Sequence, residues 1–496
     1  MKKFFRGFRR LFDPIDLTSG SVLRDLLLFS VSVILSGLIN TLYSMTDTIV
    51  VGQNLESSAI VGINDAASLD FIFLQFAIGL ASGMAVVVAK HVGAKDPTKA
   101  RQSLLCQLLL GTGISLLITV VGILTIPFQL SCLKIYDSAN DAAMRAIYDA
   151  AKTYLAIIYA GLLSLFLNNV VTCTLRARGD AFATFLFLFA GSLLNIALDV
   201  LFVVAFHWGV AGTAWATLIT QTMAALASFF YCFKRYPEFR FRKGDLSFPK
   251  GFVGEHLKDG LPLAFQFSIL AIGLIVMTRS IISFDVDAES GTILAEEPAE
   301  LGYSAANKLA YLFNIALSSL GTVMVSYAGQ NYGAGRFDRI KTGMKDMMLL
   351  TLGVWLFCMG IGFLLKIDGA YMRIFLADEV ITPQVLKYGD AYLYVILPTQ
   401  IFLGVLYVFR NTLQGLEKPL WPFLAGVGEL LARVLWCLFV PPLVNGGPID
   451  SSASLLSYAC TCAADPAAWL MACLFMVPPF FVIMRRKIGE KSKEEK

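Results

Sequence analysis

Charge is scarce in this chain, and the scarcity excludes most soluble functions. Asp, Glu, Lys and Arg make up 15% of 496 residues, against about a quarter in an ordinary globular domain. Histidine occurs only as His91, His207 and His256, each at the end of an apolar run. Neither HExxH nor GxSxG occurs, which removes the commonest zinc and serine hydrolase plans and argues against an intramembrane enzyme. The nine cysteines lie mostly inside apolar runs without metal-ligand spacing. Cys460 and Cys462 share the last outer loop. They read as small hydrophobes, with pairing as the alternative if the exterior is oxidising.

What is there is hydrocarbon: 57% of residues are hydrophobic and mean hydropathy is +0.69. Such a composition specifies a polytopic membrane protein. Apolar runs bounded by charge or by Gly and Pro predict twelve spans, starting near residues 26, 58, 99, 150, 181, 209, 257, 300, 341, 389, 419 and 466. The first run lacks a small-residue cleavage site, so the start MKKFFRGFRR is expected to stay attached. Its basic residues Lys2, Lys3, Arg6, Arg9 and Arg10 share a side with Lys90, Arg101, Arg410 and the other basic residues of every second loop, and with the tail from Arg485 to Lys496. The opposite side holds only Lys134, Arg145, Lys152, Lys366, Arg373 and Lys387. By the positive-inside bias, both termini are expected in the cytoplasm, with the chain in the plasma membrane. The basic loops are topology signals and contacts for anionic lipid, not a nucleic-acid surface.

Within these runs, polar groups stand out. Asn195 and Asp199 lie four apart in LLNIALDVLFV and therefore share one helix face. Asp47 occupies the outer third of the first span, and Thr217 lies in GVAGTAWATLIT, the sixth. An ionisable group inside a span marks an ion path or proton relay by default. Two carboxylates, an amide carbonyl and a hydroxyl form a hard oxygen set suited to Na⁺ or to a shared proton, and unsuited to a soft metal. Asp70 is a secondary candidate for the cavity wall; Asp65 falls near the interface, where an acid costs little. Glu429 and Arg433, four apart in the eleventh span, read as an intrahelical ion pair, with substrate contact as the alternative. The loop FDVDAESGTILAEEPAE reads as solvated, and otherwise as an acidic vestibule for cations.

The chain repeats itself. VGAKDPTKAR returns 240 residues later as NYGAGRFDRIK, with Gly93 and Ala94 falling on Gly333 and Ala334. TCTLRARGDAFATFLF is echoed by RNTLQGLEKPLWPFLA at nearly the same offset. Two matches at one offset indicate duplicated halves of six spans in the same orientation, a plan common among transporters. The expected division is an N-lobe over 1–233, a basic cytoplasmic linker over 234–256, a C-lobe over 257–486 and a charged tail over 487–496.

With LYSMTDTIVVG, VGAKDPTKAR and its echo, TLRARGDAFAT, LNIALDVLFV and WGVAGTAWAT in this order, the chain resembles the MATE family of multidrug and toxic compound extrusion antiporters, with a likeness to its DinF-like branch. The resemblance covers essentially the whole chain. It implies an all-α protein whose two six-helix bundles form a V-shaped cleft and rock between inward- and outward-open states. It also implies export of amphipathic, cationic organic compounds driven by entry of H⁺ or Na⁺, with a coupling site at Asp47, Asn195, Asp199 and Thr217. Two departures from the family pattern are visible. Ser32 stands where a proline commonly precedes the first-span aspartate, and the seventh and tenth spans offer Gln266 and Gln400 where some branches place acids. Coupling is therefore expected in the first half alone, with Gln266 and Gln400 as secondary cavity candidates. The rival expectation is a flippase for lipid-linked oligosaccharides or lipids, which would need a strongly basic cleft. The expected partners are a small-molecule substrate and the bilayer, with no nucleic acid, no obligate protein partner and no cofactor beyond the coupling ion.

Overall fold

The computed structural model describes residues 14–137, 141–294 and 296–494. The basic residues Lys2, Lys3, Arg6, Arg9 and Arg10, and Lys496, lie outside the described residues. With no water in a bilayer core, backbone N–H and C=O groups must pair within their own segment, so apolar runs of this length become helices. Among the described residues twelve helices are long and apolar enough to cross a membrane. They are α1 (Val22–Asn54), α2 (Ser57–Gly93), α3 (Pro97–Cys132), α4 (Ala142–Ala177), α5 (Ala181–Asp199), α6 (Gly209–Arg235), α7 (Phe252–Ile282), α8 (Pro298–Gly333), α9 (Phe337–Lys366), α10 (Pro383–Gly415), α11 (Leu420–Asn445) and α12 (Ala464–Glu494). The starts of α5 and α6 coincide with expectation, whereas the twelfth span begins earlier, because a short helix, Leu455–Cys462, leads into α12.

Local chemistry sets the helix starts. Asp96 accepts a hydrogen bond from the Lys99 N–H with Pro97 in the first turn, Asp141 accepts from Ala143 and Met144, and Asp180 from Ala183. Each carboxylate satisfies N–H groups that the helix leaves unpaired. Helix α1 runs unbroken through Ser32, which is buried.

The chain forms two compact units, Met1–Ser268 with Ser326–Arg336 and Gly415–Pro419, and Ile269–Val325 with Phe337–Gln414 and Leu420–Lys496. In the first, α2 is the central helix. Its C-terminal half packs Ala77, Leu80, Ala81, Met84 and Val88 against Phe166, Val170 and Leu175 of α4. Its N-terminal half carries Ala66 into a second cluster with Tyr148, Leu155 and Tyr159.

The end of α2 meets the end of α8 in a contact that uses the repeat. A Cβ on Gly93 would lie 1.9 Å from the Gln330 carbonyl oxygen, and one on Gly333 would lie 1.8 Å from that of Lys90. Residues 90 and 93 thus meet 330 and 333 reciprocally, as a two-fold relation between duplicated segments requires. The polar side chains follow the same exchange. Lys90 pairs with Glu417 at 2.8 Å in the loop after α10, and Gln330 donates to the Ala177 carbonyl at 2.7 Å at the end of α4. Glycine at both crossing positions lets backbone touch backbone.

The second unit corrects three expectations. Glu429 does not pair with Arg433; it accepts from Arg410 of α10 at 2.7 Å, while Arg433 donates to Asp465 of α12 at 2.7 Å. These pairings tie α11 to α10 and α12, and each buried charge gains a carboxylate or guanidinium partner from a neighbouring helix. Arg410, expected as a topology signal in a basic loop, is accordingly buried. The acidic loop is not wholly solvated. Asp285 is buried and accepts from the N–H groups of Ala299 and Glu300, capping the start of α8. An isolated β-bridge, Val286 to Ile293, closes this loop.

Candidate functional site

The expected polar groups of the first unit gather around α1 and α5. Asp199 is the last residue of α5, and the chain continues as a π-helical turn, Val200–Ala205, in which the Phe206 N–H bonds the Leu201 carbonyl. Such a wide turn shifts the helical register, and wide turns recur at functional sites. Asn195 and Asp199 are both fully buried, one turn apart on the face towards α1. Asp47, half-buried on α1, brings its carboxyl group into polar contact with that of Asp199.

Two carboxyl groups facing each other need something positive between them. Neither oxygen of Asp199, nor Oδ1 of Asp47, receives a hydrogen bond from a protein donor, and both side-chain atoms of Asn195 are equally without partners. A buried acceptor without a donor costs about 1–3 kcal/mol, more if charged. Two carboxyl groups in polar contact cannot both stay ionised without a proton or cation. The arrangement gathers buried oxygen acceptors, and among the described residues no side chain donates a hydrogen bond to them.

Thr217 of α6 reaches the same place through Tyr43, whose phenol is in polar contact with it. Tyr43 lies one turn before Asp47, and Tyr154 of α4 lies within electrostatic range of Asp47, Asp70 and Asp199. Neither tyrosine stood out in the sequence. Tyr43 could have been found from its i−4 spacing to Asp47, whereas nothing local points to Tyr154. Asp70 is buried with Oδ1 unpartnered, within electrostatic range of Tyr154 and Tyr159. The structure places Asp47, Asn195, Asp199 and Thr217 together, and Tyr154 is within electrostatic range of both Asp70 and the pair formed by Asp47 and Asp199.

The two glutamines belong to different units. Gln266 of α7 is fully buried in the first, with both side-chain polar atoms unpartnered. Gln400 of α10 lies in the second and donates to the Ala310 carbonyl at 3.0 Å, which makes it a helix-to-helix tie.

The MatE family model matches residues 32–201 and 301–438, more than half of the chain. The chain belongs to the MATE family. Among curated relatives of this MATE protein is the probable multidrug resistance protein YpnP of Bacillus subtilis, 26% identical over 414 residues, covering 81% of this chain and 84% of that one. DNA damage-inducible protein F of Escherichia coli is 26% identical over 309 residues, or 61% and 62% of the two chains. Of solved structures, an outward-facing multidrug resistance MATE family transporter of the MOP superfamily superposes with a TM-score of 0.80 at 18% identity, covering 97% of this chain and 99% of that chain. The MATE fold is thus present over nearly the whole chain, in a multi-pass membrane transporter and not an enzyme.

Proposed function

We propose that this MATE protein exports amphipathic, cationic organic compounds by alternating access, coupled to entry of H⁺ or Na⁺ at Asp47 and Asp199. The observation that carries the reading is the facing carboxyl pair whose buried oxygens have no donor. When an ion or proton occupies the pair, its negative charge is cancelled. When the pair is empty, the charge favours a cationic substrate and opposes the closed arrangement of α1 and α5. Occupancy by one then weakens the other, and reciprocity requires the effect to run both ways. Asn195 and Thr217 would complete the ion's oxygen shell, with Tyr43 orienting Thr217. The bias of Lys and Arg supports a plasma-membrane orientation with both termini in the cytoplasm.

Proteoliposomes test this directly. Uptake of a fluorescent organic cation is measured under an imposed H⁺ gradient and then an imposed Na⁺ gradient, in the native chain and in Asp199→Asn. Coupling of about 1–3 kcal/mol corresponds to roughly 5- to 150-fold stimulation by the driving ion. That stimulation is expected to vanish in Asp199→Asn, and an unchanged dependence on both gradients would overturn the assignment. The flippase reading gains little support, since the buried Arg101, Arg410 and Arg433 each already donate to a carboxylate.

A further inference from the structure

A second group of buried acceptors lies in the first unit, where α2, α7 and the loop after α10 meet. Lys90 of α2 is held by Glu255 of α7 and by Glu417 of the loop, the second contact at 2.8 Å. Two turns into α7, Asp259 is 3% exposed, and neither of its oxygens has a hydrogen-bond donor. Its helix packs closely on α2 at this point: a Cβ on Gly83 of α2 would lie 2.4 Å from the Asp259 main-chain carbonyl oxygen. Asp259 is within electrostatic range of Lys90, Glu255, Glu417 and Lys258, and Lys258 is exposed.

The charge count leaves a deficit. Three carboxylates face two ammoniums, the exposed Lys258 and Lys90, whose contacts are with Glu255 and Glu417. The imidazoles do not fill the gap. His256, fully buried one turn before Asp259, has its Nδ1 2.8 Å from the Phe252 carbonyl, which fixes the proton there and leaves Nε2 as a bare lone pair with no donor. His91 of α2, also buried, has an unpartnered Nε2, and the charged groups facing it are Lys90, Glu255, Lys99 and Asp96. Glu417 lies outside the spans, and burial pushes its carboxyl above the usual range. An unpaired carboxylate buried this deeply either binds a cation or is protonated.

We propose that Asp259, with Glu255, Glu417 and His256 around it, is a second site for a proton or a small monovalent cation, distinct from Asp47 and Asp199. Its position beside the glycine crossing of α2 and α8 ties its occupancy to that contact: charging Asp259 draws on Lys90, which holds the loop after α10. The site needs no coupling at Asp47 and Asp199, so it stands or falls apart from the proposed function.

Infrared difference spectroscopy of the full chain in lipid, stepped in pH, reads protonated carboxyl groups without requiring transport. The native protein should gain a carboxylic-acid band as pH falls, part of which Asp259→Asn removes and Asp47→Asn/Asp199→Asn retains. At fixed pH, loss of the Asp259 part on adding Na⁺ but not K⁺ identifies the cation as Na⁺, and indifference to both identifies a proton. A spectrum unchanged by Asp259→Asn, or an Asp259 band that stays constant across the whole pH range, overturns the proposal. Should Asp259→Asn not fold, His256→Gln must shift the midpoint of the same band, and an unshifted midpoint counts equally against it.

Discussion

Adding one methyl group at Gly93 tests the reciprocal crossing more sharply than removing any charge. The new Cβ would lie 1.9 Å from the Gln330 carbonyl oxygen, 2.5 Å from its carbonyl carbon and 2.6 Å from its Cα. Contacts below 3.0 Å are essentially never tolerated, so α2 and α8 must separate locally by more than 1 Å. The obstacle is backbone on both sides and cannot swing away. Overpacking of this kind costs about 1–3 kcal/mol, and a rigid helix crossing belongs at the upper end. Gly353→Ala supplies the control, because nothing lies within 4 Å of a Cβ there; in a helix it should be neutral, or stabilise by about 0.4–1 kcal/mol. Gly93→Ala and Gly333→Ala open the same crossing, so the double variant should lose less than the two singles together. Thermal unfolding of the purified protein in lipid nanodiscs measures all four. Equal stability of Gly93→Ala and Gly353→Ala would refute the reasoning.

Other variants probe the buried charges. Arg101 donates to Asp245 of the linker at 2.7 Å, and Asp245 also accepts from the Arg242 N–H. These bonds hold the Asp245 carboxyl below its ordinary value. Its stabilisation is therefore complete above the unfolded value of about 3.9 and is lost as pH falls through the lower folded value. Asp245→Asn should loosen the linker at neutral pH by about 1.5–3 kcal/mol, seen as faster proteolysis between residues 236 and 251. Glu429→Gln leaves Arg410 charged and unpaired in a span, with an expected cost of about 3–5 kcal/mol, whereas Arg410→Met with Glu429→Leu should recover most of it in the same unfolding assay. Tyr43→Phe removes the hydroxyl's contact with Thr217 and should weaken ion-stimulated transport, at a cost to stability of only about 0.5–1.5 kcal/mol.

Much of this architecture is legible in the sequence, for physical reasons. Hydrocarbon length fixes where a helix can span, so the twelve segments follow from apolar runs, and the echo of VGAKDPTKAR in NYGAGRFDRIK marked the two glycines of the crossing. Asp47 and Asp199 were conspicuous because a carboxylate in a span needs a reason. Partners across helices were not legible: Glu429 finds Arg410 on another helix, and spacing along one helix reports only its own neighbours. Arg101 and Lys90 resembled topology signals because loop position predicts side, not contact. The capping role of Asp285 and the π turn after Asp199 depend on backbone geometry that composition does not encode. Asp259 passed unnoticed within LKDGLP because its burial comes from α2, far away in sequence.

In the proposed mechanism the carboxyl pair of Asp47 and Asp199 holds a proton or ion that substrate displaces. Purified protein in weakly buffered solution, mixed with an organic cation, reports displacement as acidification, or as Na⁺ release at a sodium electrode. The account predicts release from the native chain and none from Asp47→Asn/Asp199→Asn at saturating substrate. Equal release from both would contradict it.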